Sequence, residues 1–363
     1  MADVISWETA TQVAARVARH QQPFTAYERN SLETDFAELT PLAEELVAAE
    51  TGLRSLAGPA RARVADRDEW VNANVASFQR LLRPVIDKLG ARMEGSGHWS
   101  PMPARLSRNL AGTEMGLLLG WMSTRVLGQY DQLIIEDENP DDQDIVYYVG
   151  PNILAIERKH GFNPREFRLW LALHEVTHRA QFTGVPWMRQ HFLSLVERTM
   201  DGFDPDPKQL MKALQRSADV IRSGQNPLDE GGLITLLAGP EQYQAIQEIG
   251  GMMSLLEGHG DITMDRAGAD RIPSAARFSQ VLRQRRRQHG LAKLLSMLIG
   301  LDAKLRQYEQ GERFIERVEE AGGPGLLARV WEGPSWLPSW SEIRDPDRWV
   351  TRAAAFTPPA VSG

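Results

Sequence analysis

Cysteine is absent from this 363-residue sequence. Disulfide bonds, and every metal site that depends on thiolate ligands, are therefore excluded. A bound metal ion would have to take its ligands from histidine, aspartate and glutamate. The chain has 8 histidines and 48 acidic residues that could supply them.

The sequence also lacks an excess of positive charge. It has 41 basic and 48 acidic residues, which give a net charge of −7. Because nucleic-acid binding favours a basic surface, we expect no nucleic-acid partner. The densest basic stretch is RQRRRQHG, residues 283–290. We interpret it as a solvated helix end, with contact to an anionic substrate or to nucleic acid as the alternative.

Long hydrophobic runs are missing as well. The longest are MGLLLGW at 115–121 and LLSMLIGL at 294–301, far short of the roughly 18 apolar residues of a membrane span. The first residues do not show a basic stretch followed by an apolar run, which is the pattern of a signal peptide. The sequence therefore predicts a cytoplasmic protein that does not enter a membrane.

Helical patterning dominates what is present. Short β-branched and aromatic runs, QLII at 132–135 and DIVYYVG at 144–150, flank an acidic turn and predict a hairpin. The sequence thus indicates a mainly α fold, or α+β with a small β-hairpin or sheet. The predicted helices cover residues 28–56, 59–89, 111–129, 240–268 and 289–322.

The Gly-, Ser- and Pro-rich stretch at 90–108 indicates a boundary in this organisation. We predict an N-terminal helical region over 1–100, a second region over 101–350 and a tail over 351–363. The alternative is that the whole chain forms one compact domain.

The stretch WLALHEVTHRAQF, residues 170–182, contains residues that can bind a metal ion and activate water. Asn163 as N-cap, Pro164 at the first position and Glu166 two residues later predict a helix start with a capping box. His174 and His178 then lie on one helical face, so both imidazoles can bind one metal ion.

Glu175 lies about 100° around the helix axis from His174. From there its carboxylate can reach a water on the ion but cannot easily bind the ion itself. The pattern therefore predicts two histidine ligands and Glu175 as the general base.

A catalytic zinc site needs a third protein ligand, and SLLEGHGDITMD at 254–265 is the strongest source. On a helix, Glu257 and Asp261 share one face. We favour Glu257 as the ligand and Asp261 as an acceptor from a ligand histidine. His259 remains the alternative ligand. Gly258 and Gly260 are expected to let this backbone approach a neighbour closely.

Four stretches of the sequence form a recognisable set: RVLGQYD, PNILAIERKHGFNPREFRLWLALHEVTHRAQFTGVPWMR, MSLLEGHGDITMD and GLDAKLRQYEQGERF. Together they resemble one family, the zincin-like metallopeptidases of type 2, which are bacterial proteins described as hydrolases. The resemblance extends over about residues 3 to 350. It implies a mostly helical fold with a zincin-like core, so that the region over 101–350 would be a zincin-like metallohydrolase region. The acids after the histidine helix are also similar to those of gluzincins.

The function expected from these residues is a hydrolase with one Zn²⁺ ion, acting on a peptide or peptide-like substrate. His174, His178 and Glu257 would hold the zinc, and Glu175 would activate water. Gluzincin-like sites stabilise the oxyanion with a tyrosine or histidine. The candidates for that role are Tyr308, His191, His259, Tyr147 and Tyr148.

Two alternatives remain open. The chain could be a non-catalytic metalloprotein in which zinc has a structural or binding role, with a fourth protein ligand such as His259 or Asp261 closing the site. It could also be a degenerate zincin that binds no metal. The sequence does not distinguish substrates or oligomeric states.

Overall fold

The computed structural model describes residues 5–18, 24–95, 104–130, 144–201, 240–289 and 308–355. Over these ranges the protein is mainly helical with one small sheet, which confirms the predicted fold class. Its contacts define two compact units. Unit 1 comprises Met1–Ala180 and Ala267–Phe278, and unit 2 comprises Gln181–Arg266 and Ser279–Gly363. The boundary predicted near residue 100 stays a prediction.

The sheet of unit 1 has three strands: β1 (Arg61–Ala65), β2 (Gly128–Tyr130) and β3 (Ile145–Val149). The strand order is β1-β3-β2, with β1 parallel and β2 antiparallel to the central β3. In register, Ala62 faces Val146 and Gly128 faces Tyr148. Every residue of β3 is buried, as expected of a central strand covered on both faces.

In the described part of unit 1, six helices surround this sheet or extend from it. Helix α2 begins with the capping box of Thr25 and Glu28, each side chain bonding the other's backbone N–H. Helix α1 packs on α4, where three glycines spaced four residues apart lie against its backbone. The six helices are α1 (Trp7–Ala18), α2 (Ala26–Thr51), α3 (Arg67–Gly95), α4 (Ala104–Ser123), α5 (Gly150–His160) and α6 (Pro164–Thr183).

Two sequence predictions are changed here. The helix predicted over 59–89 is wrong at its start, because residues 61–65 form β1 and α3 begins only at Arg67. The alternation in ARARVA fits a strand, and pairing with β3 outweighs the helix preference of alanine and arginine. The predicted hairpin strand at 132–135 lies outside the described residues. Among the described residues, Gly128–Tyr130 pairs antiparallel with β3.

The remaining helices lie mainly in unit 2. A hydrophobic core there gathers Phe314, Val318, Trp336, Ile343 and Trp349. Residues 240–268, for which the sequence allows one long helix or a pair of helices, form one continuous helix. The helices are α7 (Met188–Asp201), α8 (Pro240–Gly268), α9 (Ala275–His289), α10 (Tyr308–Ala328), α11 (Trp340–Arg344) and α12 (Pro346–Ala355).

Helices α8 and α10 cross within unit 2 so closely that their backbones are almost in contact. A Cβ atom on Gly258 would collide with the backbone of Gly311 and Glu312, and one on Gly311 would collide with the carbonyl of Ser254. The close approach predicted for Gly258 is therefore confirmed. Among the helices of the described ranges, none has the length and apolar character needed to span a membrane.

Candidate metal centre

The helix that carries the histidines, α6, starts as the sequence predicted. The Asn163 Oδ1 atom accepts hydrogen bonds from the N–H groups of Arg165 at 3.1 Å and Glu166 at 3.3 Å. The predicted capping box is wrong in its second half, because the Glu166 carboxylate accepts from the Ser274 N–H at 3.0 Å. From Phe167 to Leu173 every residue of the helix is buried.

The two histidines converge through the same ring atom. The Nε2 atoms of His174 and His178 lie 3.3 Å apart, and the ring planes meet at 84°. Two nitrogens bound to one tetrahedral zinc at 2.0–2.1 Å would be separated by about 3.3–3.4 Å. The pair therefore has the spacing of two ligands to a single ion. His178 is buried and His174 is half-buried.

Glu175 is held against strand β2. It is 6% exposed, and its Oε2 atom accepts the N–H of Tyr130 at 3.2 Å. A Cβ atom on Gly128 would lie 2.6 Å from its Oε1 atom. Neither Gly128 nor Tyr130 was predicted from the sequence to contact the general base. The available signal was a glycine two residues before the tyrosine in RVLGQYD.

The side of β2 that meets Glu175 is the open edge of the sheet. The carbonyl of Leu127 accepts the N–H of Val149 at 2.8 Å, so residues 127 and 129 direct their backbone groups toward β3. Gly128 and Tyr130 direct theirs the other way, toward Glu175. The carboxylate is thus placed beside a strand edge that has no further strand on that side among the described residues.

The residue after His178, Arg179, is fully buried and heavily paired. Its guanidinium donates to both Asp144 oxygens, to Glu44 Oε1 at 2.6 Å and to the carbonyl of Gly58 at 2.7 Å. Burial acts to lower the pKa of Arg179, but the hydrogen bonds and negative charge of Asp144, with Glu44, raise it overall. Arg179 therefore stays charged and ties α6 to these segments of unit 1.

The predicted downstream ligands lie on α8 in unit 2. Glu257 is half-buried, whereas His259 and Asp261 are buried. The Gln181 Nε2 group donates to the Leu256 carbonyl and to His259 Nδ1, each at 3.0 Å. Because a carbonyl can only accept, the first bond fixes the amide orientation, and His259 Nδ1 must then be an acceptor.

Among the described residues, one group of three side chains could hold a metal ion. His174, His178 and Glu257 each offer one ligand atom, two of them imidazole nitrogens and one a carboxylate oxygen. This donor set is typical of zinc sites that keep a position for water.

Four further residues were predicted as candidates for stabilising the oxyanion, and their surroundings differ. The Tyr148 hydroxyl bonds Thr40 Oγ1 at 3.0 Å, its ring stacks on Phe36, and burial raises its pKa. Tyr147 belongs to a hydrophobic core cluster. His191 lies edge-on to Trp187. Tyr308 begins α10, and its side chain lies outside the described part of the structure.

Comparisons with known proteins identify two similarities that extend over nearly the whole chain. The model of a family described as zincin-like metallopeptidase matches residues 5–350. The chain is also similar to the crystal structure of a candidate hydrolase with a novel fold from Chloroflexus aurantiacus. That similarity has 32% sequence identity and a TM-score of 0.74, over 97% of this chain and 100% of the other. No curated protein matches the chain.

Proposed function

Because this chain belongs to the zincin-like metallopeptidase family, we propose that it is a zinc-dependent hydrolase of peptide-like amide bonds. The observation that carries the proposal is the 3.3 Å separation of the two histidine Nε2 atoms, with Glu175 on the same helix. A pair of neutral imidazoles would need one shared proton at this distance, whereas one zinc ion satisfies both nitrogens at its normal bond length.

The proposed zinc ligands are His174, His178 and Glu257. A zinc ion bound there would supply a Lewis acid, which acidifies water and polarises a carbonyl group. Asp261, one turn after Glu257 on α8 and buried, is proposed to orient a ligand histidine by accepting its second ring N–H.

The hydrogen bonding of His259 favours Glu257 as the third ligand. His259 Nδ1 accepts from Gln181, so the proton of the neutral ring is on Nε2. A protonated ring nitrogen has no lone pair for a metal. His259 could become a ligand only by giving up this hydrogen bond, which favours the carboxylate of Glu257.

Glu175 is proposed to act as the general base and then as the acid. Its carboxylate would take a proton from the attacking water and deliver it to the departing amine nitrogen. The Tyr130 N–H holds its Oε2 atom, which fixes the direction of the carboxylate before substrate arrives. Such preorganisation lowers the cost of orienting the base.

The open edge of β2 is an argument for a peptide-like substrate. An extended peptide can add to a strand edge through backbone hydrogen bonds. Gly128 directs its backbone groups to the edge where Glu175 lies, so a peptide bound there would pass beside the general base.

The decisive experiment replaces Glu175 with glutamine. The variant is expected to retain one zinc per chain, because Glu175 is not a proposed ligand. Hydrolysis of a fluorogenic peptide library should fall by about 10²–10⁴-fold, the usual contribution of a general base. Zinc content is measured by atomic absorption, and turnover is measured by fluorescence.

Glu45→Gln is the matched control, since Glu45 is exposed on α2 and should leave turnover unchanged. Full turnover in Glu175→Gln would reject the mechanism. If neither the wild type nor the variant cleaves any peptide while zinc is still bound, the non-catalytic metalloprotein becomes the better description.

A further inference from the structure

Gln181 lies on the same face of α6 as the two histidines, but the proposed mechanism does not use it. It follows His178 by three residues and His174 by seven, offsets that return to one side of an α-helix. Its side chain is fully buried. Because a buried amide is costly unless it is hydrogen-bonded, the partners of Gln181 indicate what it does.

The amide nitrogen of Gln181 makes two hydrogen bonds to α8, and all three residues belong to unit 2. Its Nε2 atom donates to the Leu256 carbonyl and to His259 Nδ1, each at 3.0 Å. Leu256 and His259 are three residues apart, so they are neighbours on one face of the helix. The two N–H bonds of an amide have fixed directions. Together they restrain both the position of α8 along its axis and its rotation about that axis.

The backbone of α8 is held on both sides of Glu257, the proposed third zinc ligand. Leu256 directly precedes Glu257, and its carbonyl accepts the hydrogen bond from Gln181. Gly258 directly follows Glu257, and it lies so close to the backbone of Gly311 on α10 that no Cβ atom fits between them. The helix therefore has little freedom to slide or rotate at residue 257, and the direction of its side chain depends on these two contacts.

We propose that Gln181 is a positioning residue for zinc binding, which fixes the α8 backbone at Leu256 and thereby directs the Glu257 carboxylate toward the ion. The inference rests on the proposed zinc site, in which Glu257 is a ligand. Gln181 acts through Glu257 and does not bind the ion itself. A ligand that is already in place binds more tightly than one that the ion must first order. Residues that orient metal ligands typically contribute about 10–100-fold to metal affinity.

The test replaces Gln181 with methionine, which has a similar length and volume but no N–H group. The zinc dissociation constant is measured by competition with a chromophoric chelator, at a temperature where circular dichroism shows the variant to be folded. It should rise about 10–100-fold. With Co²⁺ in place of zinc, the d–d absorption bands should also shift, because the geometry of one ligand changes. If Gln181→Met does not fold, Gln181→Asn, which is one methylene shorter, is measured instead with the same expectation.

Trp349→Phe is the matched control for a purely structural role. It removes another buried hydrogen bond within unit 2, the one that the Trp349 indole N–H donates to the Trp336 carbonyl at 2.8 Å. The variant should unfold at a lower denaturant concentration than the wild type. Its zinc dissociation constant and its Co²⁺ spectrum should stay at the wild-type values, since neither residue contacts α8 through this bond. The comparison therefore separates the positioning of Glu257 from a general loss of stability.

A double-mutant cycle with Glu257→Gln tests whether Gln181 acts through Glu257. If it does, the double variant should bind zinc no more weakly than Glu257→Gln alone. Additive losses, or wild-type affinity in Gln181→Met, would overturn the role of Gln181 and leave the zinc site intact. If the wild type binds no zinc, or if Glu257→Gln binds it with unchanged affinity, the proposed ligand set is rejected and this inference with it.

Discussion

Gly128 shows how closely one residue is fitted to the candidate site. Replacing it with alanine would put a Cβ atom 2.6 Å from both Glu175 Cγ and Oε1, so the carboxylate must shift. Displacing a catalytic group by about 1 Å can cost about 10²-fold in rate. We expect Gly128→Ala to reduce peptide turnover by that order while zinc content stays at the wild-type level.

The control is Gly333→Ala, where a Cβ atom meets no atom within 4 Å. Steady-state kinetics and metal analysis of both variants make the comparison. Unchanged turnover in Gly128→Ala would show that the position of Glu175 against β2 is irrelevant to hydrolysis.

Glu28 gives a prediction about pH at the same scale. The Thr25 backbone N–H and the Arg158 side chain lower the pKa of Glu28 from 4.5 to about 2. Because the folded-state pKa lies below the unfolded value, the stabilisation is complete above 4.5 and is lost as the pH falls toward 2. Glu28→Gln should therefore cost about 0.5–1 kcal/mol at neutral pH.

Urea unfolding at neutral pH and at several acidic values measures this difference. The gap between wild type and Glu28→Gln should close as Glu28 becomes protonated, whereas Glu45→Gln should show no gap at any pH. A gap that is independent of pH would mean that the charge of Glu28 contributes nothing.

What the sequence predicted at this scale was local. His174, Glu175 and His178 lie within two helical turns, so helix geometry alone predicts their relation. The contacts of Glu175 with Tyr130 and of Gln181 with His259 join segments 45 and 78 residues apart. Spacing along the chain carries no information about such contacts, and neither was predicted.

Among elements, the crossing of α8 and α10 has the sharpest consequence. Gly258 is next to Glu257, and a methyl group at Gly258 or Gly311 would force the two helices apart. Overpacking of this kind costs about 1–3 kcal/mol. We expect Gly258→Ala and Gly311→Ala to lower the free energy of unfolding by that amount and also to reduce zinc content.

Gly325→Ala is the matched control in α10, because a Cβ atom there meets open space. Denaturant unfolding and metal analysis report the two effects separately. Loss of stability with full zinc content would show that the crossing supports the fold but does not position Glu257.

Element prediction succeeded where the pattern was long and failed where it was short. The start of α6 at Pro164 follows from its cap, and the helical character of 240–268 follows from its periodicity, although the sequence left open whether this segment is one helix or two. Strand β1 has only five residues, and its parallel partner β3 begins 84 positions later in register. The Glu166 carboxylate does not complete the predicted capping box, because it accepts a hydrogen bond from the distant Ser274 N–H.

For the whole molecule, zinc binding predicts a change in stability. An ion that binds only the folded chain stabilises it by about 4 kcal/mol when the free ion exceeds its dissociation constant a thousandfold. The midpoint temperature of thermal unfolding should therefore rise when zinc is added and fall back when a chelator removes it. Glu257→Gln should remove most of the shift, whereas His259→Ala should retain it.

Scanning fluorimetry of these variants, with His174→Ala as the negative control, checks the ligand set without any activity assay. If zinc still raises the unfolding temperature of Glu257→Gln but not that of His259→Ala, the third zinc ligand is His259 and not Glu257. A shift in none of the proteins would support the degenerate zincin.

The mainly α fold and the family were both predicted from the sequence. Helical periodicity over most of the chain predicts the fold class, and several separate motifs predict the family.

The pairing of Arg179 fixes the rotation of α6 about its own axis. One guanidinium binds Asp144, Glu44 and the carbonyl of Gly58, which come from three different segments. A turn of the helix by a single residue, 100°, would carry the charge away from all three. Leaving that charge buried and unpaired costs about 3–5 kcal/mol. The directions of His174 and His178 are therefore set by a residue that takes no part in binding metal.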